Sequence, residues 1–110
     1  MRTIREMLRN DEKVWVYLNS GDTWKKFISM AVTEGFHFGE LPVERWAFGY
    51  VVAVHSNGDM EHLPLLIWCR SFSAYVENCP QKVDFRKFID NEIDALCKKS
   101  HFFNNKFTNY

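Results

Sequence analysis

The sequence predicts an α+β protein, a two-layer sandwich in which a small, mainly antiparallel sheet is packed by two amphipathic helices and a short N-terminal helix. Three patterns predict this class: two stretches with apolar residues at three- and four-residue spacing, one β-hairpin signal, and one short β-branched and aromatic run. The chain has 110 residues, of which 46% are hydrophobic and 25% charged. Because these values are typical of one globular domain, we expect residues 1–110 to form a single α+β domain.

The N-terminal part predicts the order helix, strand, helix. Thr3 and Glu6 have the spacing of a capping box, which opens a short helix ending near Asn10. Residues 14–18 are β-branched, aromatic or aliphatic and predict the first strand. Asp22 is well placed as the N-cap of the next helix, and Gly35 ends that helix as its C-cap. The apolar side of this helix consists of Trp24, Phe27, Ile28, Ala31 and Val32.

The C-terminal part predicts a hairpin followed by a helix. Residues 50–55 and 60–68 are the two strands, and Asn57-Gly58 supplies the tight turn between them. Pro64 cannot donate to a ladder, so the second strand either starts after it or lies at an edge there. The final helix runs from about Phe85 to Lys99 with Asp84 as its cap, and residues 101–110 are a flexible tail or an edge strand. The predicted core comprises Trp15 or Val14, Phe27, Ile28, Ala31, Val52, Val54, Ile67, Phe88, Ile89 and Leu96.

Charge and cysteine content point to the compartment. Fourteen basic residues balance fourteen acidic ones, so the molecule has no net positive field for non-specific binding to nucleic acid. The first residues form no apolar signal segment, and no run approaches the length of a membrane-spanning helix. Cys69, Cys79 and Cys97 are odd in number and widely spaced, which favours free thiols. We expect a cytoplasmic protein without membrane contact.

The sequence carries no recognisable catalytic or metal-binding signature. His55 and His62 are seven residues apart, too far for the usual pairing of zinc ligands, although the hairpin would let them face each other. No serine lies in a nucleophile elbow. We therefore expect no catalytic residue, no metal and no cofactor. A small nuclease or hydrolase built around His37, His55 and nearby carboxylates is the enzymatic alternative.

Acidic and aromatic residues cluster between positions 40 and 62. This stretch has four acids and one base, an excess of about three negative charges, which suits an Arg- or Lys-rich partner. The aromatic content of 16% is more than one small core easily hides, so we expect some rings to be exposed as interface anchors. Two roles are open to Trp46: it is either an exposed interface anchor or a residue that closes the end of the core. The predicted partner-binding residues are Glu40, Glu44, Arg45, Trp46, Phe48, Tyr50, Asp59 and Glu61.

Direct nucleic-acid binding by the basic ends is a second function hypothesis. Basic side chains near both termini would contact phosphates, and Phe102 or Phe103 would stack on bases. Such binding weakens steeply with salt. The residues of this hypothesis are Arg2, Arg5, Arg9, Lys98, Lys99 and Lys106.

Residues 10–90 resemble small proteins carried by phages and conjugative elements of Firmicutes. The resemblance rests on residues 14–17, 23–27, 42–45, 52–55 and 83–85, and its most particular element is the stretch Glu34–Gly39, EGFHFG. Small accessory proteins of such elements include anti-CRISPR inhibitors of Cas9. The resemblance therefore implies a non-enzymatic inhibitor whose partner is a host effector such as Cas9 or the Cas9–guide RNA complex, and it transfers no catalytic residue. The sequence predicts no oligomeric state.

Overall fold

The computed structural model describes residues 3–73 and 80–90, which fold around one four-stranded sheet. The helices and strands confirm the predicted α+β class. In chain order, the elements are α1 (Ile4–Leu8), β1 (Lys13–Tyr17), α2 (Gly21–Glu34), a single 3₁₀ turn (Val43–Arg45), β2 (Val51–His55), β3 (Met60–Leu63), α3 (Leu65–Ser73), β4 (Gln81–Asp84) and α4 (Phe85–Ile89).

The sheet is mixed, with strand order β3-β2-β1-β4. β2 pairs antiparallel with both β1 and β3, whereas β1 pairs parallel with β4. The sheet is therefore mainly antiparallel, as predicted. In the β2–β3 ladder, Val52 lies opposite His62 and Val51 lies opposite Leu63. Because side chains alternate along a strand, these two pairs belong to opposite faces of the sheet.

The main core lies between one face of the sheet and the helices α1, α2 and α4. Alternate strand residues supply its sheet side, and the predicted core residues Val14, Val52 and Val54 are completely buried there. Ile28 and Ile89 are partly buried and pack against this core. Leu96 lies outside the described residues. The buried members of the cluster are Ile4, Met7, Leu8, Val14, Val16, Leu18, Phe27, Ala31, Phe36, Phe38, Val52, Val54, Met60, Val83, Phe85 and Phe88.

α3 covers part of the opposite face of the sheet, where the sequence analysis was wrong. The strand predicted for residues 60–68 ends at Leu63, because Pro64 has no N–H group to continue a ladder. Residues 65–73 form a helix whose Trp68 and Phe72, four positions apart, are buried against Val51. Ile67, predicted to be in the core, is 42% exposed because it does not share that helical side. Trp15 packs against this second cluster.

The helix ends follow the predicted chemistry with one correction. Thr3 accepts a hydrogen bond from Glu6 N at the start of α1, and Asp84 accepts one from Lys87 N at the start of α4. The N-cap of α2 is Ser20 and not Asp22, because Ser20 and Thr23 form a reciprocal capping box. Gly35 ends α2 with φ of 83°, as expected for a left-handed C-cap.

Two predictions at the C-terminus fall on residues that the structure does not describe. These are the continuation of the final helix to Lys99 and the tail or edge strand at residues 101–110. Within residues 3–73 and 80–90, no helix is both long enough and apolar enough to cross a membrane.

Candidate protein-binding face

Six aromatic rings form a connected cluster beside the edge strand β3. α2 supplies Trp24, β3 supplies His62, and the connection between α2 and β2 supplies the other four rings. Ring centroids lie 5.0 Å apart for Phe38 and Trp46, 5.8 Å for Trp24 and Phe48, and 5.0 Å for Phe48 and Tyr50. We call this cluster the aromatic face; its members are Trp24, Phe38, Trp46, Phe48, Tyr50 and His62.

His62 contributes its imidazole to the aromatic face, a role that sequence reasoning missed. Its imidazole stacks on Phe38 at 4.7 Å and 12° and on Trp24 at 5.6 Å and 24°. The residue as a whole remains exposed, but burial of its ring lowers the pKa of His62 below the ordinary value of 6.5. The lowered pKa favours the neutral imidazole, which packs as an uncharged aromatic ring. Strand alternation could have indicated this role, because residues two positions apart share a face of the sheet. Met60, two positions before His62, is buried on the core side.

Gly49 allows the connection to pass close to His62. A Cβ atom at Gly49 would lie 2.5 Å from Nδ1 and 2.9 Å from Cε1 of the His62 ring. Any larger residue at position 49 would therefore displace the imidazole or the connection. Gly49 lies between Phe48 and Tyr50 in the chain, so its close approach to His62 constrains the backbone that carries both rings.

Trp46 holds the connection against the core. Its ring meets Phe38 edge to face at 79°, and its Nε1 donates to the carbonyl oxygen of Leu41 at 2.9 Å. The residue is partly buried and packs against the main core. The sequence left two roles open for Trp46, an exposed interface anchor or a residue that closes the end of the core. Its partial burial and its packing against the core favour the second role.

Phe48 and Tyr50 are exposed members of the aromatic face. Phe48 is 44% exposed and Tyr50 is 47% exposed. They meet each other at 73°, and Phe48 meets Trp24 at 88°. Such edge-to-face contacts fix ring orientation while leaving much ring surface uncovered. These two residues present aromatic surface to solvent.

The stretch Glu34–Gly39 fastens the start of the connection to the hairpin tip. His37 N donates to Gly58 O at 3.0 Å, and Met60 N donates to His37 O at 2.8 Å. Gly39 N donates to the Asp59 carboxylate at 3.1 Å. At the other end, Leu18 N donates to Tyr50 O at 2.7 Å. The connection is thus bonded to the folded body at both ends.

The predicted residues Glu40, Glu44 and Arg45 belong to this same connection. All three side chains are exposed, and Glu44 and Arg45 lie in the 3₁₀ turn that immediately precedes Trp46. Leu41 and Val43 are 45% and 44% exposed beside them. Six of the eight predicted partner-binding residues belong to one continuous segment, residues 40–50.

The other two predicted residues occupy different positions. Asp59 lies at the hairpin tip, where its carboxylate is 3.5 Å from His37 Nδ1 and accepts from the backbone N–H groups of Gly39 and Met60. Glu61 projects from the sheet face opposite His62, since it lies across from Ala53 rather than Val52. Asp59 therefore supports the connection, whereas Glu61 does not share the aromatic face.

The two hairpin histidines do not face each other, contrary to the arrangement that the hairpin allowed. His55 Nε2 lies 3.3 Å from Glu61 Oε1, whereas His62 stacks within the aromatic face. His37 has a different carboxylate partner, Asp59. Within residues 3–73 and 80–90, no three His, Cys, Asp or Glu side chains are grouped to hold a metal ion. Cys69 is a free thiol there, and Cys79 and Cys97 lie outside the described residues.

The basic residues of the nucleic-acid hypothesis are only partly described. The Arg5 guanidinium lies 4.4 Å from the Phe36 ring centroid, and its Nη1 donates to Ser56 O at 2.6 Å. Arg5 thus joins α1 to the hairpin rather than extending freely into solvent. Arg9 is exposed. The remaining residues of that set, Arg2, Lys98, Lys99 and Lys106, lie outside the described ranges.

Similarity to a known protein would be an independent source of functional assignment. A matching family or solved structure would indicate whether the stretch Glu34–Gly39 and the aromatic face have a known role. Compared with protein-family models, with curated proteins and with solved structures, the chain matches none of them.

Proposed function

We propose that this chain is a non-enzymatic binding protein that contacts a partner protein through residues 40–50. The observation that supports the proposal is the exposure of Phe48 and Tyr50, 44% and 47%, on a segment bonded to the body at both ends. Exposed aromatic residues in fixed positions are the usual anchors of protein interfaces, because they bury a large area with few rotatable bonds.

The proposed partner is a nucleic-acid-guided host defence effector, Cas9 or the Cas9–guide RNA complex. The resemblance to proteins of phages and conjugative elements suggests this class of partner. The exposed carboxylates Glu40 and Glu44 add a physical reason, since Cas9 holds its guide–target duplex in a positively charged channel. Complementary charge steers association and selects orientation. Binding would inhibit the effector or prevent loading of its guide RNA.

The test is to mix the purified chain with Cas9, before and after addition of guide RNA, and to measure complex formation and target cleavage. We expect a stable complex and loss of cleavage. Tyr50→Ala should weaken the complex about thirtyfold or more, the effect expected of an interface anchor. Unchanged cleavage at large molar excess would exclude Cas9 as the partner.

A matched control comes from α2. Val32 is 47% exposed, as much as Tyr50, but it lies outside residues 40–50. Val32→Ala should leave the affinity unchanged, and both variants should keep the wild-type melting temperature. Equal weakening by the two variants would contradict the assignment of the interface to residues 40–50.

A further inference from the structure

The exposed carboxylates of Glu40 and Glu44 have no ionic partner within the described part of the chain. The ion pairs found there join His37 to Asp59 and His55 to Glu61, and neither includes Glu40 or Glu44. Both side chains belong to the connection that carries Trp46, Phe48 and Tyr50. A binding partner therefore meets unpaired negative charge and exposed ring surface on one short segment.

Few chemical groups bind favourably both to a carboxylate and to the face of an aromatic ring. An apolar side chain would cover the rings but would desolvate the carboxylates without pairing them, which costs free energy. A lysine ammonium pairs with a carboxylate as a strongly hydrated point charge. An arginine guanidinium is planar and weakly hydrated, so it stacks on a ring while its N–H groups donate to carboxylates.

The molecule contains one example of this mode of contact. The guanidinium of Arg5 lies over the ring of Phe36, with 4.4 Å between its Cζ and the ring centroid. At the same time, Arg5 Nη1 donates to the carbonyl oxygen of Ser56. Stacking and hydrogen bonding by the same guanidinium are therefore compatible in this fold.

We infer that Phe48 and Tyr50, together with Glu40 and Glu44, recognise arginine side chains of a partner protein. This inference rests on the proposed binding function and specifies the chemistry that the aromatic face selects. Arg45 is the single base of residues 40–50 and is exposed. Its positive charge opposes a cationic ligand, so Arg45→Ala should increase the affinity for arginine.

The direct test uses three acetylated, amidated peptides that differ only at two positions, which carry arginine, lysine or citrulline. Citrulline keeps the size and planarity of arginine but has no charge. Binding is followed by NMR chemical-shift changes of the Trp24 and Trp46 indole N–H groups. We expect the arginine peptide to bind about tenfold more tightly than the citrulline peptide and severalfold more tightly than the lysine peptide.

Two pairs of substitutions separate ring and charge contributions. The double variant F48L/Y50L keeps apolar surface but removes the ring faces, and E40Q/E44Q removes only charge. Each should abolish the preference for arginine over citrulline, whereas the control E12Q, at another exposed acid, should keep it. Preserved preference in either double variant, or no binding of the arginine peptide at millimolar concentration, would overturn the inference.

The inference and the proposed function fail in different ways. If Tyr50→Ala weakens the complex with Cas9 while all three peptides bind alike, the interface exists but does not select arginine. If the arginine peptide binds selectively while Cas9 forms no complex, the arginine specificity holds and the choice of Cas9 as partner is wrong.

Discussion

At the residue scale, position 49 determines the shape of the aromatic face. Gly49 passes so close to His62 that a Cβ atom would lie 2.5 Å from the imidazole, and this imidazole stacks on both Trp24 and Phe38. The sequence could not show this contact, because residues 49 and 62 meet only after the sheet has formed. The sequence also could not decide whether Trp46 is exposed or packs on the core. That choice depends on the folded connection, in which Trp46 Nε1 donates to Leu41 O.

Gly49→Ala should destabilise the folded protein by about 1–3 kcal/mol, the usual cost of overpacking. The added methyl group would meet the His62 ring and push it away from its stacking contacts with Phe38 and Trp24. Urea denaturation measures the free energy of unfolding.

The control for this substitution is Gly21→Ala at the first residue of α2. A Cβ atom at Gly21 has no neighbour within 4 Å, and alanine favours helix more than glycine does. We expect this variant to be neutral or slightly stabilised. A Gly49→Ala protein as stable as Gly21→Ala would show that the close contact with His62 does not constrain the fold.

At the element scale, α1 depends on a residue thirty positions away. Its first two N–H groups, of Ile4 and Arg5, donate to the Glu34 carboxylate at 2.8 and 3.1 Å. The sequence correctly predicted Thr3 as the N-cap, since that interaction is local. The contribution of Glu34 is invisible locally, because it requires the end of α2 to pack beside the start of α1.

Glu34→Ala should reduce the free energy of unfolding by about 1–2 kcal/mol, the range measured for lost helix caps. The loss should be concentrated in α1, so amide exchange at Met7 and Leu8 should accelerate more than exchange within β1. Hydrogen-exchange mass spectrometry or NMR measures this difference.

Two variants complete this test. Glu34→Gln keeps one amide oxygen as an acceptor and should fall between the wild type and Glu34→Ala. Glu12→Ala removes an exposed carboxylate outside α1 and should leave exchange in α1 unchanged. Uniform acceleration across all elements in Glu34→Ala would contradict a local capping role.

At the scale of the whole molecule, the sheet is packed on both faces. α1, α2 and α4 cover one face, and α3 covers part of the other through Trp68 and Phe72. Two clear amphipathic patterns in the sequence predicted the packing of helices on one face of the sheet. The sequence analysis missed α3 because residues 65–68 are apolar in succession, a pattern that suits a strand or a helix.

The parallel strand β4 was also missed, for a topological reason. Only four residues long, it carries a single fully buried side chain, Val83, which gives almost no periodic signal. Its pairing with β1 joins segments about 70 residues apart in the chain. Residues 40–50 were predicted as an exposed, aromatic, proline-containing loop, but the attachment of the preceding residues His37 and Gly39 to the hairpin tip required coordinates.

Trp68→Ala tests the second packed face. Trp68 is 1% exposed and stacks on Tyr17 at 5.6 Å, so its truncation should cost about 3–5 kcal/mol. The milder Trp68→Phe should cost less and remain folded. Urea denaturation at neutral pH measures both.

The comparison for Trp68 is a neighbour on the same helix. Leu66 is 59% exposed, and Leu66→Ala should change stability by less than about 0.5 kcal/mol. Similar losses for Trp68→Phe and Leu66→Ala would show that α3 contributes little to the stability of the sheet.

The double attachment of residues 40–50 also has a consequence for the thermodynamics of association. A loop that is ordered only on binding loses conformational entropy at that moment, roughly 1–2 kcal/mol per backbone residue. Here Asp59 secures Gly39, and Leu18 secures Tyr50, before any partner arrives. The chain therefore loses most of this conformational entropy when it folds and not when it binds. Even a small contact area on this loop can then support tight association.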